Sequence, residues 1–166
     1  MKLKGLCYKF SDNINTDWII SGRYKFSVTN MKELAKHLME DIKPNFYKRL
    51  KPGKSIIVAG ENFGMGSSRE QAPLVIKYAG IVAVVAKSFA RIFYRNSFNI
   101  GLPLVEADTG SIKEHDELEI DLGKGIIKNL TKKKTYKIRP LPKIMMNLLS
   151  DGGAVAHVKK YGRLKI

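Results

Sequence analysis

Three short apolar runs restrict the fold of this chain more than any other feature of its sequence. They are IIVAG at residues 56–60, IVAVVA at 81–86 and LPLVEA at 102–107. Because their apolar residues are consecutive rather than alternating, the runs are typical of strands buried on both faces of a sheet. The segments between them, APLVIKYAG at 72–80 and FARIFYRNSFNIG at 89–101, have the apolar spacing of helices, and each ends at a glycine. This β-α-β-α-β order predicts an α/β fold with a parallel sheet at its centre.

The rest of the chain predicts that this sheet is mixed. Residues 116–122, DELEIDL, alternate between polar and apolar, and residues 125–139 have the pattern of a hairpin. An antiparallel section is therefore expected beside the parallel one. Helices are expected at 29–42, with a capping box that starts at Asn30, and over 141–153 up to its glycines.

Chain length and composition are those of one soluble domain. With 166 residues, a hydrophobic fraction of 44% and a charged fraction of 27%, we expect a single domain that spans residues 1–166. No apolar run approaches the roughly 20 residues of a membrane span. The apolar stretch at the N-terminus is shorter than the core of a signal peptide. We therefore expect a cytoplasmic protein without membrane contact.

Metal-ligating residues are few. Cys7 is the only cysteine, and His37, His115 and His157 are far apart in the sequence, so neither a disulfide nor a zinc-binding pattern is present. One thiol also falls short of the three or four that an iron–sulfur cluster normally requires. We expect no metal site and no cofactor in this chain.

The formal net charge of +15 favours a negatively charged partner, such as a polyanion, an anionic small molecule or an acidic subunit. A basic nucleic-acid-binding protein is one hypothesis that this charge supports. However, the one dense basic run, KNLTKKKTYKIR at 128–139, fits better a solvated hairpin edge on which lysines oppose aggregation. No RNA-recognition signature accompanies it, and we expect no nucleic-acid partner.

Residues 60–73, GENFGMGSSREQAP, combine three glycines, two adjacent serines and an Arg–Glu pair directly after the first apolar run. The segment is not a phosphate-binding P-loop, because its outer glycines are one residue too far apart and no lysine follows. It also lacks the third glycine of the dinucleotide fingerprint and the spacing of the serine-hydrolase nucleophile elbow.

Two interpretations of these serines remain open from the residues alone. In the first, Ser67 or Ser68 caps the following helix, since Glu70 and Gln71 complete the S-x-x-E/Q pattern for either serine. In the second, the glycine-rich turn at the end of a strand binds a carboxylate through backbone N–H groups, and Arg69 adds a two-point contact. A serine hydroxyl beside that positive charge would be biased towards its alkoxide and could remove a proton from the bound acid.

The residues around this turn also resemble a known family. Three segments resemble, in their sequence and in their order along the chain, the small subunit of the isopropylmalate isomerase and homoaconitase group. They are the N-terminal DNINTDWIISGRY, the central GENFGMGSSREQAP and the later AVVAKSFARIFYRNSFNIGLPLVE. That subunit is equivalent to the swivelling C-terminal domain of aconitase, an α/β domain with a three-layer β/β/α architecture. The resemblance covers residues 8–107 almost continuously.

The resemblance implies a two-subunit hydro-lyase that dehydrates and rehydrates a 2-substituted malate. A large subunit would carry a [4Fe-4S] cluster whose open iron binds the substrate as a Lewis acid, and this chain would complete the site. By the family's Ser-Ser-Arg motif, Ser67 would be the catalytic base, and Ser68 and Arg69 would bind the substrate. Met65 stands where many relatives have cysteine, so that thiol is not essential to the chemistry.

The resemblance further implies that the loop formed by Arg23, Tyr24, Lys25, Phe26 and Ser27 selects the variable group of the substrate. Archaeal homoaconitases resemble Tyr-Leu-Arg-Thr there, and the arginine, which meets an additional carboxylate, is replaced by Phe26 in this chain. An apolar substituent is therefore favoured, as in isopropylmalate and leucine biosynthesis. Homoaconitase and dimethylmalate dehydratase are the alternatives, because Arg23 or Lys25 could still meet an anionic group.

Smaller roles are expected for the neighbouring residues. Side-chain-to-backbone bonds from Asp12, Asn13, Thr16 and Asp17 are expected to stabilise the loop of residues 23–27. His37 and His115 are expected at the surface. Substrate steering, ion pairs at the subunit interface or plain solvation are the expected roles of four further residues, Lys87, Arg91, Arg95 and Asn96. Trp18 is expected to pack or to contact the other subunit. A regulatory domain that has lost catalysis is a further alternative, against which the intact Ser-Ser-Arg motif counts.

Overall fold

The centre of the fold is a mixed sheet, which the computed structural model describes together with the rest of residues 1–164. Within these residues, seven strands form the sheet in the spatial order β4-β3-β2-β1-β5-β6-β7. They are β1 (Lys2–Lys9), β2 (Ser55–Val58), β3 (Ile81–Ala86), β4 (Leu104–Glu106), β5 (Glu117–Asp121), β6 (Ile126–Asn129) and β7 (Lys134–Lys137). Strands β1 to β4 pair in parallel, and β5 to β7 extend the sheet in antiparallel fashion. The expected α/β class with a mixed, partly parallel sheet is confirmed.

Helices connect the strands and cover the sheet. In the described chain they are α1 (Thr16–Ile19), α2 (Gly22–Lys25), α3 (Met31–Ala35), α4 (Phe46–Arg49), α5 (Gln71–Tyr78), α6 (Arg91–Asn99), α7 (Lys143–Ser150) and α8 (Ala154–Tyr161). The predicted crossover helices are confirmed as α5 and α6, and the predicted helix of the tail is confirmed as α7. Helices α1, α2, α4 and α8 were not predicted. None of these helices has the length and apolar character needed to cross a membrane.

The central strand β1 joins the two halves of the sheet. It pairs in parallel with β2, from Leu6 opposite Ser55 to Lys9 opposite Val58, and antiparallel with β5 on its other side. The sequence did not reveal β1, because KLKGLCYK contains three lysines and a glycine, which are weak strand formers. Strands β2 and β3, in contrast, are buried along almost their whole length, as their continuous apolar runs predicted.

The helix predicted over 29–42 is shorter than expected. Asn30 caps α3 by accepting hydrogen bonds from the N–H groups of Lys32 and Glu33 at 2.9 and 3.3 Å, as the capping pattern predicted. Beyond α3 the chain continues in turns, and Met39 adopts a φ of +56°. The N–H of Met39 donates to the carbonyl of Ile19 at 3.0 Å, so a tertiary hydrogen bond here replaces the helical path.

The basic run forms the predicted hairpin, with β7 at the edge of the sheet. Part of its charge is compensated by neighbouring carboxylates. Lys132 lies 3.1 Å from the buried carboxylate of Asp116, and Lys128 lies 3.9 Å from Glu119. This arrangement supports the interpretation of the run as a solvated sheet edge.

Candidate active site

The candidate site lies where the parallel strands end. Because β1, β2 and β3 run in the same direction, the loops that follow them meet at one edge of the sheet, the edge at which α/β folds commonly bind ligands. These loops are residues 10–15 after β1, residues 59–70 after β2 and residues 87–90 after β3. The segment GENFGMGSSRE belongs to the middle loop.

Backbone hydrogen bonds join the loop after β1 to the loop after β2. Asn13 N–H donates to the carbonyl of Glu61 at 2.8 Å, Gly64 N–H donates to Ile14 at 2.7 Å, and Thr16 N–H donates to Met65 at 2.9 Å. These bonds continue the pairing of β1 and β2 beyond the end of both strands, and we call them the loop clamp.

The loop after β3 holds the middle loop from its other side. Ser88 accepts two hydrogen bonds there, one at its hydroxyl from Asn62 N–H at 2.8 Å and one at its carbonyl from Phe63 N–H at 3.0 Å. The ring of Phe63 is fully buried and meets Phe89 and Phe93 edge to face, with centroids 6.1 and 5.3 Å apart. The middle loop is therefore fixed on both sides before it reaches the serines.

Two of the glycines are required by this close packing. A Cβ on Gly60 would lie 1.6 Å from Asp12 Oδ1, the atom that accepts a 2.7 Å hydrogen bond from Glu61 N–H. Gly64 has a φ of +81°, and a Cβ there would lie 2.2 Å from the ring of Phe93. Glycine is needed at both positions because the backbone approaches its neighbours too closely for any side chain.

The serines leave this packed segment and face solvent. Ser67 and Ser68 are both exposed, and α5 begins only at Gln71, with Glu70 at the N-cap position and no side-chain capping bond. Of the two open interpretations, helix capping is therefore wrong for both serines. Their hydroxyls are not used by the helix.

Thr16 lies beside Ser67 in the candidate site, a position that the sequence did not predict. Its side chain is buried, with Oγ1 3.2 Å from the carbonyl oxygen of Ser67 and 3.3 Å from Ser67 Oγ. The Thr16 hydroxyl donates to the carbonyl in this geometry, and a small rotation would direct it to Ser67 Oγ. The sequence signal was the polar run DNINTD directly after the position where β1 ends.

Arg69 is held by the same segment. Its guanidinium forms an ion pair with Asp17 and its Nη1 donates to the carbonyl of Ile20 at 3.5 Å. The Arg69 side chain is 21% exposed, while that of Asp17 is 59% exposed. The guanidinium is thus oriented at the edge of the site by a partner that a carboxylate from solution could displace.

The expected role of the polar run requires a correction. Asp12, Asn13, Thr16 and Asp17 contact the glycine-rich segment and not the loop of residues 23–27. The reason is topological: β1 and β2 are neighbours in the sheet, so the side chains that follow β1 lie against the loop that follows β2.

The predicted specificity loop is a short helical turn. Phe26 is 84% exposed. Arg23 pairs with Asp41, and the hydroxyl of Ser27 donates to the carbonyl of Arg23 at 2.8 Å. Lys25 Nζ lies 5.6 Å from the ring centroid of Phe26. Among residues 1–164, no hydrogen bond or ion pair joins this loop to Ser67, Ser68 or Arg69.

Two histidines lie near this edge in different surroundings. The ring of Tyr24 stacks on His37 with centroids 3.9 Å apart and an interplanar angle of 8°, so His37 is half-buried and supports the loop of residues 23–27. His115 is exposed, as expected. Trp18 is 40% exposed beside the loop clamp.

The residues of the described chain do not fit a metal cluster. No group of three or more His, Cys, Asp or Glu side chains there is arranged to hold a metal ion. The thiol of Cys7 is fully buried in β1, and burial, together with the neighbouring Asp116 carboxylate, raises its pKa to about 12. A thiol in that state is a packing group and not a ligand.

Comparison with known proteins identifies close relatives of this chain. Residues 2–109 match the aconitase C-terminal domain family. The chain is 57% identical over 166 residues to the 3-isopropylmalate dehydratase small subunit 2 of Archaeoglobus fulgidus, with 100% of both chains covered. It is 51% identical to the small subunit 1 of the Thermotoga maritima enzyme, with 96% of both chains covered. A solved structure of 3-isopropylmalate dehydratase from Methanocaldococcus jannaschii superimposes with a TM-score of 0.92 at 50% identity, covering 98% of this chain and 96% of that one.

The close approach at Gly64 yields a stability prediction. Gly64→Ala should lower the free energy of unfolding by about 3 kcal/mol, because the new Cβ adds overpacking against Phe93 to the penalty for a positive φ. Gly53→Ala is the matched control, since Gly53 has a φ of +74° but no atom near the added Cβ, and it should cost only about 1 kcal/mol. Urea denaturation measures both. Equal losses for the two variants would contradict the packing described here.

Proposed function

The chain belongs to the family of 3-isopropylmalate dehydratase small subunits, and from that membership we propose that it is the small subunit of a hydro-lyase acting on a 2-substituted malate. The observation that carries the proposal is the exposed Ser67 hydroxyl beside the buried Thr16 hydroxyl and the oriented guanidinium of Arg69. The reaction removes a proton from one carbon and hydroxide from its neighbour, and then returns water with the hydroxyl on the other carbon. The leading substrate is 3-isopropylmalate, as a step in leucine biosynthesis.

Ser67 is the base in this proposal. A serine hydroxyl ordinarily has a pKa far too high for the role, so its alkoxide needs stabilisation by hydrogen-bond donors and positive charge. Thr16 supplies a donor 3.3 Å from Ser67 Oγ. To donate to the Ser67 alkoxide instead of the Ser67 carbonyl, the Thr16 hydroxyl needs only to rotate, because its oxygen is already in place.

Ser68 and Arg69 bind the substrate. Asp17 orients the Arg69 guanidinium in the free chain, and a substrate carboxylate competes for the same planar donor groups. Because Asp17 is mostly exposed, its carboxylate is hydrated again when it leaves Arg69. Replacing it with a substrate carboxylate therefore costs little free energy.

The large subunit is the expected partner. A [4Fe-4S] cluster in that subunit would supply Lewis-acid activation of the substrate hydroxyl, and the residues of this chain remain responsible for the proton and for part of the carboxylate binding. Large apolar side chains are exposed around the site edge, with Trp18 at 40%, Phe26 at 84% and Ile92 at 54%. These side chains are available for contact with the large subunit.

The loop of residues 23–27 favours an apolar substituent on the substrate. Phe26 presents its ring to solvent, and the charge of Arg23 is compensated by Asp41. Homoaconitase and dimethylmalate dehydratase remain the alternatives, since Lys25 carries no ion pair in the described chain. The loop is the part of the chain whose chemistry separates these substrates.

The substrate proposal predicts a preference of the reconstituted enzyme. After co-expression with the large subunit and anaerobic rebuilding of the cluster, kcat/KM for 3-isopropylmalate should exceed that for 2,3-dimethylmalate and homocitrate by at least about tenfold, because pocket complementarity to the variable group sets the ratio. A higher value for homocitrate would show that the loop meets an anionic group.

The base assignment predicts the effect of removing one oxygen atom. Ser67→Ala should lower kcat of the reconstituted enzyme by at least about 10²-fold, since a positioned base contributes 10² to 10⁴. Size-exclusion chromatography should show that Ser67→Ala still associates with the large subunit. Ser150→Ala, at the exposed end of α7, serves as the control. Near-normal turnover by Ser67→Ala would remove the assignment.

Thr16 is expected to act through Ser67. Thr16→Val keeps the shape of the side chain but removes the donor, and it should lower kcat by about tenfold, the worth of one hydrogen bond to a charged group. Thr16→Ser retains the hydroxyl and should restore kcat to within about threefold of the wild-type value. If the Ser variant is as slow as the Val variant, Thr16 serves packing alone.

The binding role of Arg69 predicts an effect on KM. Arg69→Lys keeps the charge but loses the planar two-point contact, so KM should rise by about tenfold with a smaller change in kcat. Arg139→Lys, at the last residue of the basic run, is the matched control. Unchanged KM and kcat in Arg69→Lys would show that this guanidinium does not bind the substrate.

A further inference from the structure

A cleft of about 690 Å³ borders the same glycine-rich loop. On one side it is lined by Asn62 and Gly66, and on the other by Arg91, Ile92, Arg95 and Asn96 of helix α6. These four helix residues are spaced i, i+1, i+4 and i+5, so they form one face of α6. We call this feature the α6 cleft. It reaches Gly66, the residue directly before Ser67.

The opposite face of α6 anchors the helix in the core. Phe93, Ser97 and Phe98 are buried, and the Ser97 hydroxyl donates to the carbonyl of Phe93 at 2.8 Å. The cleft-lining face of α6 is therefore fixed by packing on its other side. This packing holds the backbone at Arg91 and Arg95 in place.

The charge in the α6 cleft is uncompensated. No acidic side chain lines the cleft. Arg23 and Arg69 each pair with an aspartate, whereas within residues 1–164 no ion pair involves Arg91 or Arg95. The amide side chains of Asn62 and Asn96 complete a lining that can donate hydrogen bonds from several directions.

The position of the two arginines is unfavourable for the chain alone. Arg91 and Arg95 are four residues apart on one helix face, a spacing at which like charges repel. Arg91 is also the first residue of α6, where the helix dipole disfavours a cation, and the first turn contains no acidic residue. A bound anion would relieve both conflicts, and such local conflicts are typical of functional sites.

We propose that the α6 cleft is a capture subsite for a small dicarboxylate, which Arg91 and Arg95 bind before it reaches Ser67. The identity of this anion as the substrate rests on the proposed function above. Arg69 is already engaged by Asp17 in the free chain, whereas the α6 cleft offers two guanidinium groups without a carboxylate partner in the described residues. A 2-substituted malate, with two carboxylates, matches two guanidinium groups on one helix face.

The direct test uses malonate and the isolated full-length chain. In ¹⁵N-labelled protein at constant ionic strength, balanced with sodium chloride, malonate should shift the amide signals of residues 62–66 and 91–96. The double variant R91Q/R95Q should bind malonate at least about tenfold more weakly, because two charge-assisted contacts are lost. Without malonate its thermal midpoint should equal or exceed that of the wild type, since the repulsion is gone.

A matched control separates a built subsite from general charge. K134Q/K137Q removes the same two positive charges from the exposed edge strand β7, far along the sheet from β2. Its malonate affinity should equal that of the wild type. Equal weakening in both double variants, or unchanged affinity in R91Q/R95Q, would overturn the proposal.

The assembled enzyme provides a second readout. R91Q/R95Q should raise KM for the substrate and flatten the fall of kcat/KM with salt, while kcat changes by less than about twofold. If this variant instead weakens association with the large subunit and leaves malonate binding unchanged, the cleft is a protein contact and the subsite is wrong. If the wild-type complex turns over none of the malates, the proposed function fails, and the malonate titration still decides whether the subsite exists.

Discussion

The loop clamp is the constraint on which the rest of the site depends. Three backbone hydrogen bonds, of 2.7 to 2.9 Å, carry the pairing of β1 and β2 past the ends of both strands. At the buried residues Ile14, Gly64 and Thr16, backbone groups without partners would cost about 1–3 kcal/mol each in lost hydration. The clamp satisfies them, and as a consequence it places Thr16 under Ser67 and Asp17 beside Arg69. The arrangement of the candidate site is thus set by sheet topology.

Close packing of the middle loop explains how Ser67 can be exposed to solvent while the segment before it is held in place. Phe63 is buried between the rings of Phe89 and Phe93, and burial of a side chain of this size contributes about 1.5–3 kcal/mol. Gly60 and Gly64 allow the backbone to approach its neighbours at this point. After Met65 the packing ends, and the chain leaves the core with Ser67 and Ser68 in solvent. Under the proposed function, an exposed hydroxyl on a rigidly packed loop would suit an active site that two subunits share.

Much of this fold could be predicted from the sequence, because parallel strands that are buried on both faces consist of consecutive apolar residues. Strands β2 and β3 and helices α5 and α6 followed from that signal. Strand β1 did not, because its three lysines and one glycine are weak strand formers and only part of the strand is buried. The helix over 29–42 was overestimated because the hydrogen bond from Met39 to Ile19 is a tertiary contact that helical periodicity cannot show.

The candidate site was predictable in its residue types but not in its partners. Ser67, Ser68 and Arg69 were expected from the motif, and the fold places them at the carboxyl edge of the parallel strands. Thr16 and Asp17 were assigned to the wrong loop, because their contacts with residues 60–69 arise only when β1 and β2 become neighbours. The uncompensated charge of Arg91 and Arg95 likewise becomes visible only in the structure, since a sequence does not show which arginines lack a carboxylate partner.

Amide hydrogen exchange tests the central claim most directly. In the isolated chain, the N–H groups of Asn13, Gly64 and Thr16 should exchange slowly and at similar protection, since opening one bond of the clamp opens its neighbours. The amides of the exposed Ser67 and Ser68 should exchange rapidly. If the three clamp amides exchange as fast as those of the serines, the loops after β1 and β2 are not held together, and the placement of Ser67 and Arg69 described here is wrong.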